Sequence, residues 1–187
     1  MKVMIEASAR HVHLSEKDMQ ALFGASLTKV RNLSQPGQFL SKERLTIVGE
    51  KSEFRNVAIL GPCRSKTQVE ISLTDAIKLG VTPVIRESGD LEKTPGCKLV
   101  GPMGEVDLAQ GVIVAKRHIH MHTKDAEKFN LKDGLEVGVK IDSDGRSLTF
   151  RDVVLRVSDK FSLAMHVDTD EANAFNYKPG MFGELFL

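Results

Sequence analysis

Apolar residues in this chain fall in short runs rich in Val and Ile, separated by turns that contain Gly or Asp. Runs of this kind predict short β-strands. The first stands at the N-terminus, where Met1-Lys2-Val3-Met4-Ile5-Glu6 lacks the continuous apolar stretch of a signal sequence. Helical punctuation is sparser. Ser15 with Asp18 predicts a capping box, and Gly24 stands where a helix C′ glycine belongs. Thr74 and Gly80 bracket a second short helix over 75–79. The runs 135–141 and 148–150 flank Asp144-Gly145, which predicts a two-residue hairpin. The pattern implies a mainly β fold of small barrels or sheets with short capping helices, not a doubly wound sheet.

The pattern repeats. Residues 8–14 read Ser-Ala-Arg-His-Val-His-Leu and residues 115–121 read Ala-Lys-Arg-His-Ile-His-Met, 107 positions further on (11 to 118). Phe54-Arg55-Asn56-Val57 resembles Phe150-Arg151-Asp152-Val153 at an offset of 96. That offset aligns Glu70 with His166 and Asp75-Ala76 with Glu171-Ala172. Each half then follows one plan: a short strand with R-H-x-H, a helix, two or three strands, and a second short helix. Two related small β-barrel domains are expected, the first over 1–86 and the second, with its connection, over 87–187. The segment 87–104, with Pro95, Pro102 and four glycines, reads as a connection or a pair of edge strands.

Bulk composition narrows the function classes. At 187 residues the chain buries roughly 70% of its extended surface without a structural staple, so a metal site here serves chemistry. Lys plus Arg number 26 against 25 for Asp plus Glu, which provides no field for nucleic acid or anionic membrane. Trp is absent and Tyr occurs once, leaving few platforms for base stacking. Cys63 and Cys97 form neither a disulfide framework nor a CxxC pair, and no run approaches a membrane span. A cytoplasmic protein is expected.

All six histidines lie in or near the matched motifs. Residues two apart on a strand share a face, so His11 with His13, and His118 with His120, can each aim two imidazoles at one point. The repeat nominates the third donors. One set is His11, His13 and Glu70; the other is His118, His120 and His166. Both compositions occur at catalytic zinc, where a fourth position stays open. By symmetry the two sites are expected to face each other. His122 matches Ser15 and reads as a helix N-cap.

Gly61-Pro62-Cys63-Arg64-Ser65-Lys66-Thr67-Gln68 leads directly into Glu70. Its side chains suit either an ordinary polar loop or an oxyanion site in which Arg64 grips phosphate bidentately. Cys63 has no neighbouring base in the sequence and reads as a small buried residue.

At these residues the chain resembles the PduL-type phosphotransacylases, also called phosphate propanoyltransferases. The resemblance rests on S-A-R-H-V-H-L-S at 8–15, L-S-Q-P-G-Q-F at 33–39 and G-P-C-R-S-K-T-Q-V-E-I-S at 61–72. It continues through K-R-H-I-H-M at 116–121 and R-V-S-D-K-F-S-L-A-M-H-V-D-T-D-E-A-N-A at 156–174. It implies two β-barrel domains with two zinc ions between them. It also implies that His11, His13 and Glu70 hold the zinc that meets the coenzyme A sulfur, that His118, His120 and His166 hold the second, and that Arg64 meets phosphate. His122 and Cys63 depart from the family's usual Ser or Thr and Ala. With R-H-V-H starting at residue 10, no microcompartment-packaging extension is expected, and the resemblance suggests a homodimer.

The reaction expected is reversible transfer of a short acyl group, acetyl or propanoyl, between coenzyme A and phosphate by direct zinc-assisted attack. The alternative is a dinuclear zinc hydrolase acting on an ester or phosphoester.

Overall fold

The computed structural model describes residues 1–187. Along the chain, β1 (Lys2–Ser8) and β2 (His11–His13) lead into α1 (Glu16–Phe23). Strands β3 (Lys29–Asn32), β4 (Phe39–Val48), β5 (Glu53–Gly61) and β6 (Gln68–Ile71) precede α2 (Leu73–Leu79). Next come β7 (Ile85–Arg86), β8 (Cys97–Val100), β9 (Glu105–Leu108) and β10 (Val112–Ala115). The motif strand β11 (His118–Met121) then enters α3 (Thr123–Lys128). The chain closes with β12 (Glu136–Ile141), β13 (Leu148–Val157), β14 (Ala164–Asp168), α4 (Thr169–Ala174) and β15 (Phe182–Phe186). The fold is mainly β with short capping helices. No helix is long and apolar enough to cross a membrane.

Two compact units divide the chain. One is contiguous, Ala9–Ala115; the other joins Met1–Ser8 to Lys116–Leu187. In the discontinuous unit six strands close a barrel in the order β1-β14-β11-β13-β12-β15. Alternation sends Ile5, Ile119, Val139, Ile141, Leu155 and Met165 into its core, with Phe175 packed among them. The contiguous unit is a curled half-barrel, a nine-stranded sheet ordered β7-β10-β6-β2-β5-β4-β8-β9 with β3 paired to β4. Its core gathers Val12, Ile47, Ile59, Val69 and Leu99 under Leu22 of α1 and Leu79 of α2.

The expected division at 86/87 is replaced by crossings at 8/9 and 115/116. Strand exchange is the reason. β1 pairs in parallel with β14, placing Glu6 opposite His166. β10 pairs in parallel with β6, placing Ile113 opposite Glu70. Positions 6 and 113 are related by the same shift that relates the two histidine motifs. Each repeat thus gives its leading strand to the sheet of the other. Similarity follows chain order, whereas compactness follows strand pairing.

Local readings are refined in the same way. Residues 97–108 do form a pair of strands, with β9 at one end of the sheet order. Helix α2 starts two residues before the expected span, because Ser72 rather than Thr74 is the cap, in a reciprocal capping box with Asp75. Ser15 caps α1 through the amide of Asp18, but the Asp18 carboxylate accepts the Thr67 hydroxyl at 2.5 Å instead of closing a box. Asp144-Gly145 does not make a two-residue hairpin: Ile141 pairs with Leu148 across a longer loop, pinned by Ser143 and Ser147. The first half has four strands between its helices rather than two or three, the added one being β3.

Candidate active site

Both histidine motifs are strands beside an antiparallel neighbour. On β2 and β6, His11 lies directly opposite Glu70; on β11 and β14, His118 lies directly opposite His166. A cross-strand pair brings its Cβ atoms to about 5 Å, and the i+2 histidine shares the same face. Three donors therefore converge wherever H-x-H faces a third ligand-type residue. The two groups are His11, His13, Glu70 and His118, His120, His166, each with donor atoms within 4.8 Å of one another. Either group could hold a metal ion. The ring pairs of the second group lie 4.6 to 5.2 Å apart between centroids, and Phe161 covers His120 at 4.2 Å.

The geometry of the first group tests the fit. His11 Nε2 is 3.4 Å from Glu70 Oε2, and His13 Nε2 is 3.6 Å from Glu70 Oε1. A tetrahedral ion with bonds of about 2.0–2.1 Å separates neighbouring donors by about 3.3 Å, so these spacings suit zinc. The far ring nitrogens point away from the cluster. His11 Nδ1 lies 2.9 Å from the Ala9 carbonyl, His13 Nδ1 3.2 Å from that of Leu60, and His118 Nδ1 2.9 Å from that of Lys116. A carbonyl can only accept, so Nδ1 donates and each neutral ring keeps its Nε2 lone pair for the cluster. His11 and His118 use the carbonyl two residues back, so the repeat extends to tautomer control.

The side chains of the first group set one another's ionisation. Burial opposes ionisation of Glu70, but His11, then His13 and Arg64, hold its carboxyl well below the usual range. Burial lowers the His13 pKa to about 3 despite the nearby Glu70 charge, so this ring is neutral. Burial also works against a charged His11, yet the Glu70 carboxylate outweighs it and raises the pKa above 6.5. Neutral His13 and ionised Glu70 are in the forms a divalent cation binds, and a cation there would displace the proton that Glu70 favours on His11.

Arg64 lies beside this group. Its backbone N–H donates to the Leu14 carbonyl, in an isolated bridge that ties its loop to the segment following β2. Its Nη1 donates to Ser88 Oγ at 2.9 Å. Ser88 also meets Gln68 and Glu70. Sequence reasoning passed over both Ser88 and Gln68. Ser88 stands in a segment with no periodic pattern, and Gln68 ends the polar stretch 61–68 with no sign of its role beyond lying two before Glu70, hence on its face of β6.

The other singled-out residues have structural work. His122 caps α3, its Nδ1 accepting from the Lys124 amide at 3.1 Å, the opposite polarity to the cluster histidines. The half-buried Cys63 packs its sulfur 3.4 Å from that of Met19, and burial raises its pKa. Arg10 binds Asp75 through two nitrogens, at 3.0 and 2.6 Å.

Duplicated strand pairs, each framing three metal-type donors and one with a guanidinium alongside, define a β protein with two related groups of side chains that could each hold a cation. The model of the phosphate propanoyltransferase family matches residues 4–178, and the chain belongs to that family. Curated relatives bearing that name agree. The protein of Leptotrichia buccalis is 55% identical over 97% of this chain and 87% of its own length. That of Clostridioides difficile is 54% identical over 98% and 88%, and that of Thermotoga maritima 55% identical over 92% and 83%.

Proposed function

We propose that this chain is a zinc-dependent phosphate acyltransferase that reversibly converts acyl-CoA and inorganic phosphate to acyl phosphate and coenzyme A. The observation that carries this reading is the placement of Arg64 beside the His11–His13–Glu70 cluster, an anion grip next to a cation site. Family membership supports the same reaction, with acetyl or propanoyl as the group transferred.

Arg64 binds and orients phosphate through its planar fork, so that one phosphate oxygen faces the acyl carbon. That oxygen forms the new C–O bond, the C–S bond breaks, and the thiolate leaves as coenzyme A. His11, His13 and Glu70 hold the first ion; His118, His120 and His166 hold the second. Zinc, when bound, supplies Lewis acidity for the thioester carbonyl or the departing thiolate. No serine or cysteine is needed as a nucleophile, in keeping with the high pKa of Cys63.

The deciding experiment is metal analysis of the purified protein, followed by thiol release from acetyl-CoA and propanoyl-CoA with and without phosphate. Phosphate-dependent release that leaves acyl phosphate is expected. Equal release without phosphate would point to a zinc hydrolase instead.

A further inference from the structure

We propose that Ser88 is a positioning residue that couples Glu70 to Arg64, setting carboxylate and guanidinium in one fixed relation. The inference rests on the metal and phosphate roles argued above. A serine hydroxyl has one proton to give and two lone pairs. Ser88 Oγ uses all three: it accepts from Arg64 Nη1 at 2.9 Å and from Gln68 Nε2 at 2.8 Å, and donates to Glu70 Oε1 at 3.1 Å.

Gln68 fixes the direction of this network. Its Oε1 accepts the Gly89 amide at 2.7 Å, so its Nε2 must face the other way. There Nε2 donates to Glu70 Oε1 at 2.5 Å as well as to Ser88. Gly89 presents that amide from φ +102, a conformation L side chains rarely adopt. Glu70 Oε1 thus accepts two hydrogen bonds on the oxygen that faces His13, while Oε2 faces His11. The segment 88–89 thereby acts on the cluster from outside the repeat.

The second cluster differs at the position of the amide. The residue matching Gln68 is Ala164, which lies opposite His120 as Gln68 lies opposite His13.

The test uses full-length zinc-loaded protein as wild type, Ser88→Ala, Ser88→Thr and Arg64→Ala. Two quantities are read: the phosphate KM, and the chelator concentration that removes each zinc ion. Ser88→Ala should raise the phosphate KM and loosen one of the two zinc ions, each by about tenfold. Ser88→Thr, which keeps the hydroxyl, should restore both. Values within twofold of wild type for Ser88→Ala in both readouts overturn the proposal. Should Ser88→Ala fail to fold, Ser88→Cys makes the same comparison at similar volume with a weaker donor. Wild-type protein without zinc would defeat the underlying reading. A phosphate defect in Arg64→Ala alone would defeat only the role of Ser88.

Discussion

Arg10 holds Asp75 with a two-pronged hydrogen bond, and its guanidinium lies 4.2 Å from the centre of the Phe54 ring. Arg117 repeats the relationship in the other unit, bonding Glu171 at 2.6 Å with its guanidinium 4.9 Å from the Phe150 ring. Asp75 and Glu171 are also the capping-box acids of α2 and α4. One arginine therefore ties the strand carrying the histidines to the helix that follows the third donor. The arginine of R-H-x-H is an anchor, not a ligand.

Arg10→Ala should accordingly act on stability. It leaves the 5%-exposed Asp75 carboxylate without its main partner, a loss of about 1–3 kcal/mol. A lower midpoint in thermal unfolding, with Arg10→Lys intermediate because it lacks the planar fork, is the expected outcome. An unchanged midpoint would remove the anchor role.

Metal content is the most direct check on the clusters. Two zinc ions per chain are expected, and His11→Ala and His118→Ala should each lower the count by about one. Atomic absorption on freshly purified, unchelated protein reads it. One ion or none in the wild type would end the two-site reading.

Glu70→Gln keeps the shape of the side chain and removes its charge. Activity should fall sharply and the first zinc should bind more weakly, while far-UV circular dichroism stays the same. Near-normal turnover together with full zinc occupancy would mean that Glu70 is no ligand.

Arg64→Ala should cost a charge-assisted hydrogen bond, roughly 1.5–3 kcal/mol, or about one to two decades in phosphate-dependent turnover. Arg64→Lys should recover part of it, and zinc content should hold in both. Steady-state kinetics with phosphate varied would show an unchanged KM and kcat if Arg64 had no part.

The cysteines offer a pH test. Burial raises the Cys97 pKa to about 12 and also raises that of Cys63. A raised thiol pKa lowers the thiolate fraction at every pH below it, so at pH 8 alkylation by iodoacetamide should be slow at both and slowest at Cys97. Peptide mass mapping against time measures it, and rapid loss of Cys97 would contradict the burial argument.

The metal-type donors were legible because strand geometry is local. H-x-H states its own face, and the 96-residue offset finds the residue across the ladder. The arginine, phenylalanine and acid shared by both halves were also visible, but only as marks of duplication; their common contact appears when α2 and α4 pack. Ser88 was hidden, because its link to Glu70 spans 18 positions and depends on where a loop without periodicity lands. Strand exchange was hidden for a related reason. Nothing in Lys2–Ser8 distinguishes pairing with a near strand from pairing with one 160 positions away, as Ile5 does with Met165.

That distant pairing orders the protein's synthesis. β1 leaves the ribosome well before its two neighbours, β14 and β15, and Met1 bonds Leu185. The barrel cannot close before β14 and β15 are made. Until then β1 waits with Val3 and Ile5 lacking their barrel neighbours, while Ala9–Ala115 can already condense. Closure across such a span is slow, and an apolar strand left waiting is a target for chaperones and for pairing with other nascent chains.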